Sequence, residues 1–134
     1  MPRMIFVNLP VKDLGRSMDF FKKLGFTFNP QFTDETAACL VISDVIFAML
    51  LTEAKMKEFT KKPIVDAAKA TEVLVALSAD SRDEVNKLVD GALKAGATEA
   101  RAAMDYGFMF GRSFNDLDGH IWEIVWMDQS QIEG

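Results

Sequence analysis

Glu123 stands three residues after His120, the only histidine, in Gly119-His120-Ile121-Trp122-Glu123, and these are the side chains on which a metal or proton-transfer site would first draw. On a regular strand an odd separation sends two side chains to opposite faces, so the pair is not expected to share an ion. His120 is therefore read as a turn or packing residue. Glu123 keeps two readings. As a functional group, a carboxylate among apolar neighbours suits proton shuttling beside a carbonyl or acceptance of a ligand hydrogen bond; as a structural one, it is satisfied by Asn8 or Ser78. Cys39, the single cysteine, lies in Ala37-Ala38-Cys39-Leu40-Val41-Ile42 and fits a small buried hydrophobe better than a reactive thiol. Arg112 is the cation best placed to reach a ligand, on the same side as Phe108, Phe110 and Phe114 if their strand is regular. The alternative for Arg112 is an exposed rim position. No GxGxxG, P-loop, GxSxG, HExxH or CxxC is present, so nucleotide, serine-hydrolase, zincin and dithiol chemistry have no motif behind them.

The elements that must position these residues follow from periodicity. Residues 4–11 alternate as a strand, with Ile5, Val7, Leu9 and Val11 on one face and Phe6 and Asn8 on the other. Asp13 is placed to cap a helix with Leu14, Met18, Phe21 and Leu24 on one stripe, and Gly25 to end it. Strand-like runs follow at 26–32, 36–43 and 45–52. Residues 53–70, rich in lysine and containing Pro63, read as a short solvated helix and a connecting arm. The pattern then restarts: a strand at 72–79, a helix opened by the capping-box pair Ser81 and Glu84 and closed by Gly96, then strands at 98–103, 108–114 and 120–127.

The order βαβββ thus occurs twice, in module one (about 1–52) and module two (about 71–134), within 134 residues that fit one domain of ordinary size. A single helix cannot bury both faces of a sheet. If odd residues of the first strand pack on its helix, Phe6 and Asn8 face away, as do Leu74, Ala76 and Ser78 in the second module. Those two sets would line a common concave surface. Trp122 and Trp126 are expected beneath the sheet.

In Val11-Lys12-Asp13-Leu14-Gly15-Arg16-Ser17-Met18-Asp19-Phe20-Phe21, in the repeated βαβββ order, and above all in Asp116-Leu117-Asp118-Gly119-His120-Ile121-Trp122-Glu123, the chain resembles the vicinal oxygen chelate superfamily. That group holds glyoxalase I, extradiol dioxygenases and the fosfomycin and bleomycin resistance proteins. Leu117 stands where the family's last motif usually has Pro. The resemblance implies an α+β fold in which two βαβββ modules form a half-open barrel around a cleft, often across a homodimer. It places Phe6, Leu50 (or Met49, with a one-residue shift), Leu74 and Glu123 at the four metal-ligand positions. Glu123 alone can ligate, since hydrocarbon side chains have no lone pair to offer.

The function expected is that of a glyoxalase/bleomycin resistance/dioxygenase-like protein that needs no metal and binds a small apolar or aromatic molecule. Phe6, Asn8, Leu50, Leu74, Phe108, Phe110 and Arg112 would line the site, with Glu123 as its candidate catalytic group. The alternative is a glyoxalase-type lyase or extradiol dioxygenase that uses Glu123 with zinc, nickel, manganese or iron. Fifteen basic against twenty acidic residues give a formal charge of −5, which repels nucleic acid and anionic membranes. With no run of about eighteen apolar residues to span a bilayer, the expected location is the cytoplasm.

Overall fold

In the computed structural model, which describes residues 2–132, the alternating segment at the N-terminus is strand β1 (Ile5–Val11). Residue 1 of the first module and residues 133–134 of the second lie outside the described residues. Helix α1 (Leu14–Lys23) starts where Asp13 accepts a hydrogen bond from the Arg16 amide, and the chain leaves it through Gly25 at φ 97°. Strands β2 (Thr27–Asn29), β3 (Ala37–Val41) and β4 (Ile46–Thr52) complete a sheet of order β1-β4-β3-β2, and a one-turn helix α2 (Glu53–Met56) follows. The run expected at 26–32 divides because Asn29 caps a 3-10 turn over Pro30–Phe32, which takes the chain out of the sheet.

The second unit repeats this order with one additional short strand. Strand β5 (Leu74–Ala79) leads to helix α3 (Arg82–Lys94), which is opened by the Ser81 hydroxyl accepting from the Glu84 amide while Glu84 accepts in return from the Asp80 amide. Strands β6 (Thr98–Glu99), β7 (Met104–Asp105), β8 (Met109–Asn115) and β9 (Ile121–Met127) follow, with a last turn of helix α4 (Gln129–Ile132). The sheet runs β5-β9-β8-β6, with β7 on β8. In both units the first strand lies parallel to the last, and the remaining pairings are antiparallel. The fold is therefore α+β, with βαβββ in the first unit and one strand more in the second, where the run expected at 98–103 forms only Thr98–Glu99 and a further short strand follows at Met104–Asp105; the chain divides into two compact units between Ile64 and Val65.

Each sheet buries one face more completely than the other. In the first unit Leu9, Val11, Ala38, Leu40, Ala48 and Leu50 share a face by register and are all at most 2% exposed, whereas Phe6 and Asn8 on the opposite face are exposed. In the second, Trp122, Ile124 and Phe114 are fully buried on the side covered by α3, and Leu74, Ala76 and Ser78 on the other side are exposed. Cys39 is buried, and that burial pushes its thiol above the ordinary value, as expected of an unreactive core cysteine. Among the described residues no helix is long and apolar enough to cross a membrane.

Candidate functional site

Paired residues of adjacent strands project from the same face, so register decides which side chains meet. In the second unit Glu123 is flanked by Ala76 on β5 and Ser113 on β8. The amide of Ala100 donates to the carbonyl of Ser113, which brings the arm after β6 alongside β8, and from there Arg101 reaches the Glu123 carboxylate. The Glu123 side chain is 17% exposed and that of Arg101 49%. Among the described residues the hydrogen-bond partner of Glu123 is thus Arg101, and not Ser78. Ser113 is 1% exposed, and its buried hydroxyl has no hydrogen-bond partner among the described residues.

In the first unit the corresponding face carries Phe6, Asn8 and Pro10 on β1 beside Phe47, Met49 and Leu51 on β4. Phe6 stacks on Phe47 with ring centroids 4.9 Å apart, and the Asn8 amide donates to the Phe6 carbonyl. Leu50 is not on this face. It projects to the fully buried side of the sheet, and the β4 residue opposite Asn8 on the Phe6 face is Met49. Leu74 shares the Glu123 face but lies opposite Ile121, one pair removed from Glu123.

Two further residues are placed differently from the sequence expectation. Phe110 and Arg112 pair with Trp126 and Ile124, which puts them on the side of the sheet covered by α3, away from Glu123 and Leu74. Arg112 is neither a ligand cation nor a rim residue: its guanidinium donates to Asn86 at 3.0 Å and Asp90 at 2.8 Å on α3 and to Glu99 at 3.5 Å. Phe110 instead lies under Arg82, whose guanidinium carbon is 5.1 Å from its ring centroid and 5.2 Å from that of Trp126. Phe108 precedes β8 in the turn after β7 and is exposed.

Arg82 also makes a two-pronged contact with Asp105 at 2.7 and 2.8 Å and donates to the Gly107 carbonyl, which ties α3 to the β7–β8 hairpin. The Arg82 hydrogen bonds to the carboxylate, with one donated by the Gly107 amide, hold the Asp105 carboxyl down at about 2, below its ordinary 3.8. A lowered carboxyl contributes stability above its unfolded value, and that contribution is lost as the pH falls through the folded one. Urea unfolding of the wild type should therefore lose stability more steeply than Asp105→Asn as the pH falls from about 4 to about 2. Parallel curves for the two proteins would show that this ion pair does not couple to folding.

His120 is 7% exposed and belongs to the β8–β9 turn, not to the Glu123 face. There Asp116 accepts from the amides of Asp118 and His120 and from the indole N–H of Trp122. Burial pushes the Asp116 carboxyl above its ordinary value, outweighing the pull of His120 and of these hydrogen bonds. Among the described residues, no three His, Cys, Asp or Glu side chains are grouped to hold a metal ion. The donors on the Glu123 face do not suit one either: Ala76 and Ser113 flank a single carboxylate already faced by a guanidinium, which repels a cation.

Residues 3–43 match the family described as bleomycin resistance protein-like N-terminal. In structure, a hypothetical protein, SA1046, from S. aureus is similar over 94% of this chain and 95% of its own, with 26% identity and a TM-score of 0.78. A glyoxalase/bleomycin resistance protein/dioxygenase family enzyme from Burkholderia phytofirmans PsJN shares the fold over 94% of this chain and 99% of its own, at 16% identity and a TM-score of 0.75. The fosfomycin resistance protein FosX from Mesorhizobium loti does so over 100% and 97%, at 15% identity and 0.68. No curated protein matches in sequence.

Proposed function

We propose, from the premise that this chain carries the fold of the vicinal oxygen chelate superfamily, that it is a metal-independent member which binds a small, largely apolar or aromatic molecule. The observation that carries this reading is the pairing of Glu123 with Arg101, where a metal-dependent member would need a cation site. Exposed Leu74, on the same face as Glu123, supplies apolar contact. The edge strands that each sheet leaves with one neighbour suit a homodimer, since unpaired edges are usually covered. A lone buried thiol fits a cytoplasmic protein.

The test is elemental analysis, light-scattering mass and thermal unfolding on one untagged, dialysed preparation. Metal well below one ion per chain, a dimer mass and stabilisation by members of a panel of flat aromatic molecules are expected, because a ligand that binds the folded state raises its stability by mass action. Near-stoichiometric zinc, nickel, manganese or iron would overturn the reading in favour of a lyase or dioxygenase. Glu123→Gln should retain most ligand binding.

A further inference from the structure

We infer that Arg101 is the anchoring group of the Glu123 face and takes the carboxylate of a ligand whose remaining body is apolar, which makes aromatic monocarboxylates the ligand class. The inference rests on the binding reading above and names the chemistry of that site. A guanidinium has five N–H donors in a rigid fork that matches a carboxylate. Among the described residues Arg101 makes a single hydrogen bond, to Glu123, and half of its side chain is exposed, so most of its donors remain available. Arg112 and Arg82 differ in being spent on structure, each bonded to at least two neighbours. Across Glu123 from β8, the exposed Leu74 and Ala76 of β5 offer an apolar surface on the same face as the carboxylate.

Ser113 is the second, independent observation. Its hydroxyl lies across from Glu123 at a cross-strand position, buried and unpartnered, although buried polar groups are ordinarily hydrogen-bonded. An incoming carboxylate competes with Glu123 for the guanidinium, and Glu123 then has a neighbouring donor to turn to. Glu123 acts here as a positioning residue that holds the Arg101 fork open to the ligand, and Ser113 receives Glu123 when the ligand binds.

The experiment is a titration of the 15N-labelled, untagged full chain with benzoate and phenylacetate, each against its neutral amide. The backbone amides of Ala76, Arg101, Ser113 and Glu123 are followed. The carboxylates should shift these amides saturably and bind roughly ten-fold more tightly than the amides, a difference typical of a charge-assisted contact. Arg101→Gln should abolish that preference, and Arg101→Lys should restore only part of it because an ammonium lacks the fork. Ser113→Ala should raise the thermal midpoint while weakening benzoate binding, a combination that a purely structural serine would not give. Equal binding of acids and amides at this face, or a preference that survives in Arg101→Gln, overturns the inference and leaves the apolar-ligand reading standing. Absence of saturable shifts from all four compounds on both this face and that of Phe6 and Asn8 overturns both.

Discussion

Replacing Asp116 with Ala is expected to destabilise the protein by about 3 kcal/mol or more, because it strands buried donors whose desolvation costs about 1–3 kcal/mol each. The carboxylate serves three N–H groups: the amides of Asp118 and His120, each at 3.0 Å, and the indole of Trp122 at 2.9 Å. Trp122 is 1% exposed, so its N–H has little access to water as a substitute. The backbone closes the same turn, with the Asp116 amide donating to the His120 carbonyl and the Gly119 amide to the Asp116 carbonyl. The residue therefore fixes both the turn and the largest side chain of the core on which β9 rests. A loss of that size is a substantial part of the roughly 5–15 kcal/mol that holds a typical domain folded. Urea unfolding monitored by tryptophan fluorescence measures it directly. Asp116→Asn, which keeps an acceptor oxygen, should lose less than Asp116→Ala. A loss below about 1 kcal/mol for the alanine variant would mean that water or a rearranged turn replaces the carboxylate.

The same turn shows how far the sequence could be read. Strand and helix periodicity places the first strand and helix of both units, because alternating apolar residues and strong caps at Asp13 and Ser81 leave little ambiguity, whereas the run at 98–103 yields only Thr98–Glu99 and the short strand Met104–Asp105 has no such signal. Parity was harder. The choice between Leu50 and Met49 stays open in the sequence because β4 is apolar at every position from Ile46 to Leu51, so no alternation tells one face from the other. Pairing with β1 decides it, by setting Met49 against Asn8. Phe110 and Arg112 were readable in principle: the turn that pairs Asn115 with Ile121 also pairs Arg112 with Ile124 and Phe110 with Trp126. Trp126 was already expected beneath the sheet, and carrying the register back along β8 would have sent both residues there with it. Arg101 had no signal at all, since it follows a two-residue strand in an irregular arm and reaches Glu123 only through tertiary structure. Ser113 was equally hidden, because an unpartnered hydroxyl becomes visible only when its neighbours are known.

Gly119→Ala is the second substitution with a large expected effect, and it reports on how the Glu123 strand is seated. Gly119 has φ 94°, where a side chain is strained, and an added Cβ would meet the Ala68 N and Cα at 2.7 Å and the Ala67 carbonyl carbon at 2.8 Å. Those atoms are backbone and cannot swing aside, so either the turn or the 67–68 segment must move. The positive φ costs an alanine about 1–2 kcal/mol and the overpacking about 1–3 kcal/mol more. Together they predict a loss of about 3 kcal/mol, or roughly 10 °C in thermal midpoint for a domain of this size. Gly107→Ala separates the two causes. Gly107 also has positive φ, at 82°, but nothing lies within 4 Å of its added Cβ, so only the backbone cost remains and the loss should be about 1–2 kcal/mol. Equal losses for the two variants would show that the 67–68 segment yields freely and that only backbone conformation is felt. A larger loss at Gly119, together with amide shifts at Ile121 and Glu123, would show that close packing of this segment on the turn sets the position of β9. It would thereby set the position of the carboxylate that holds Arg101.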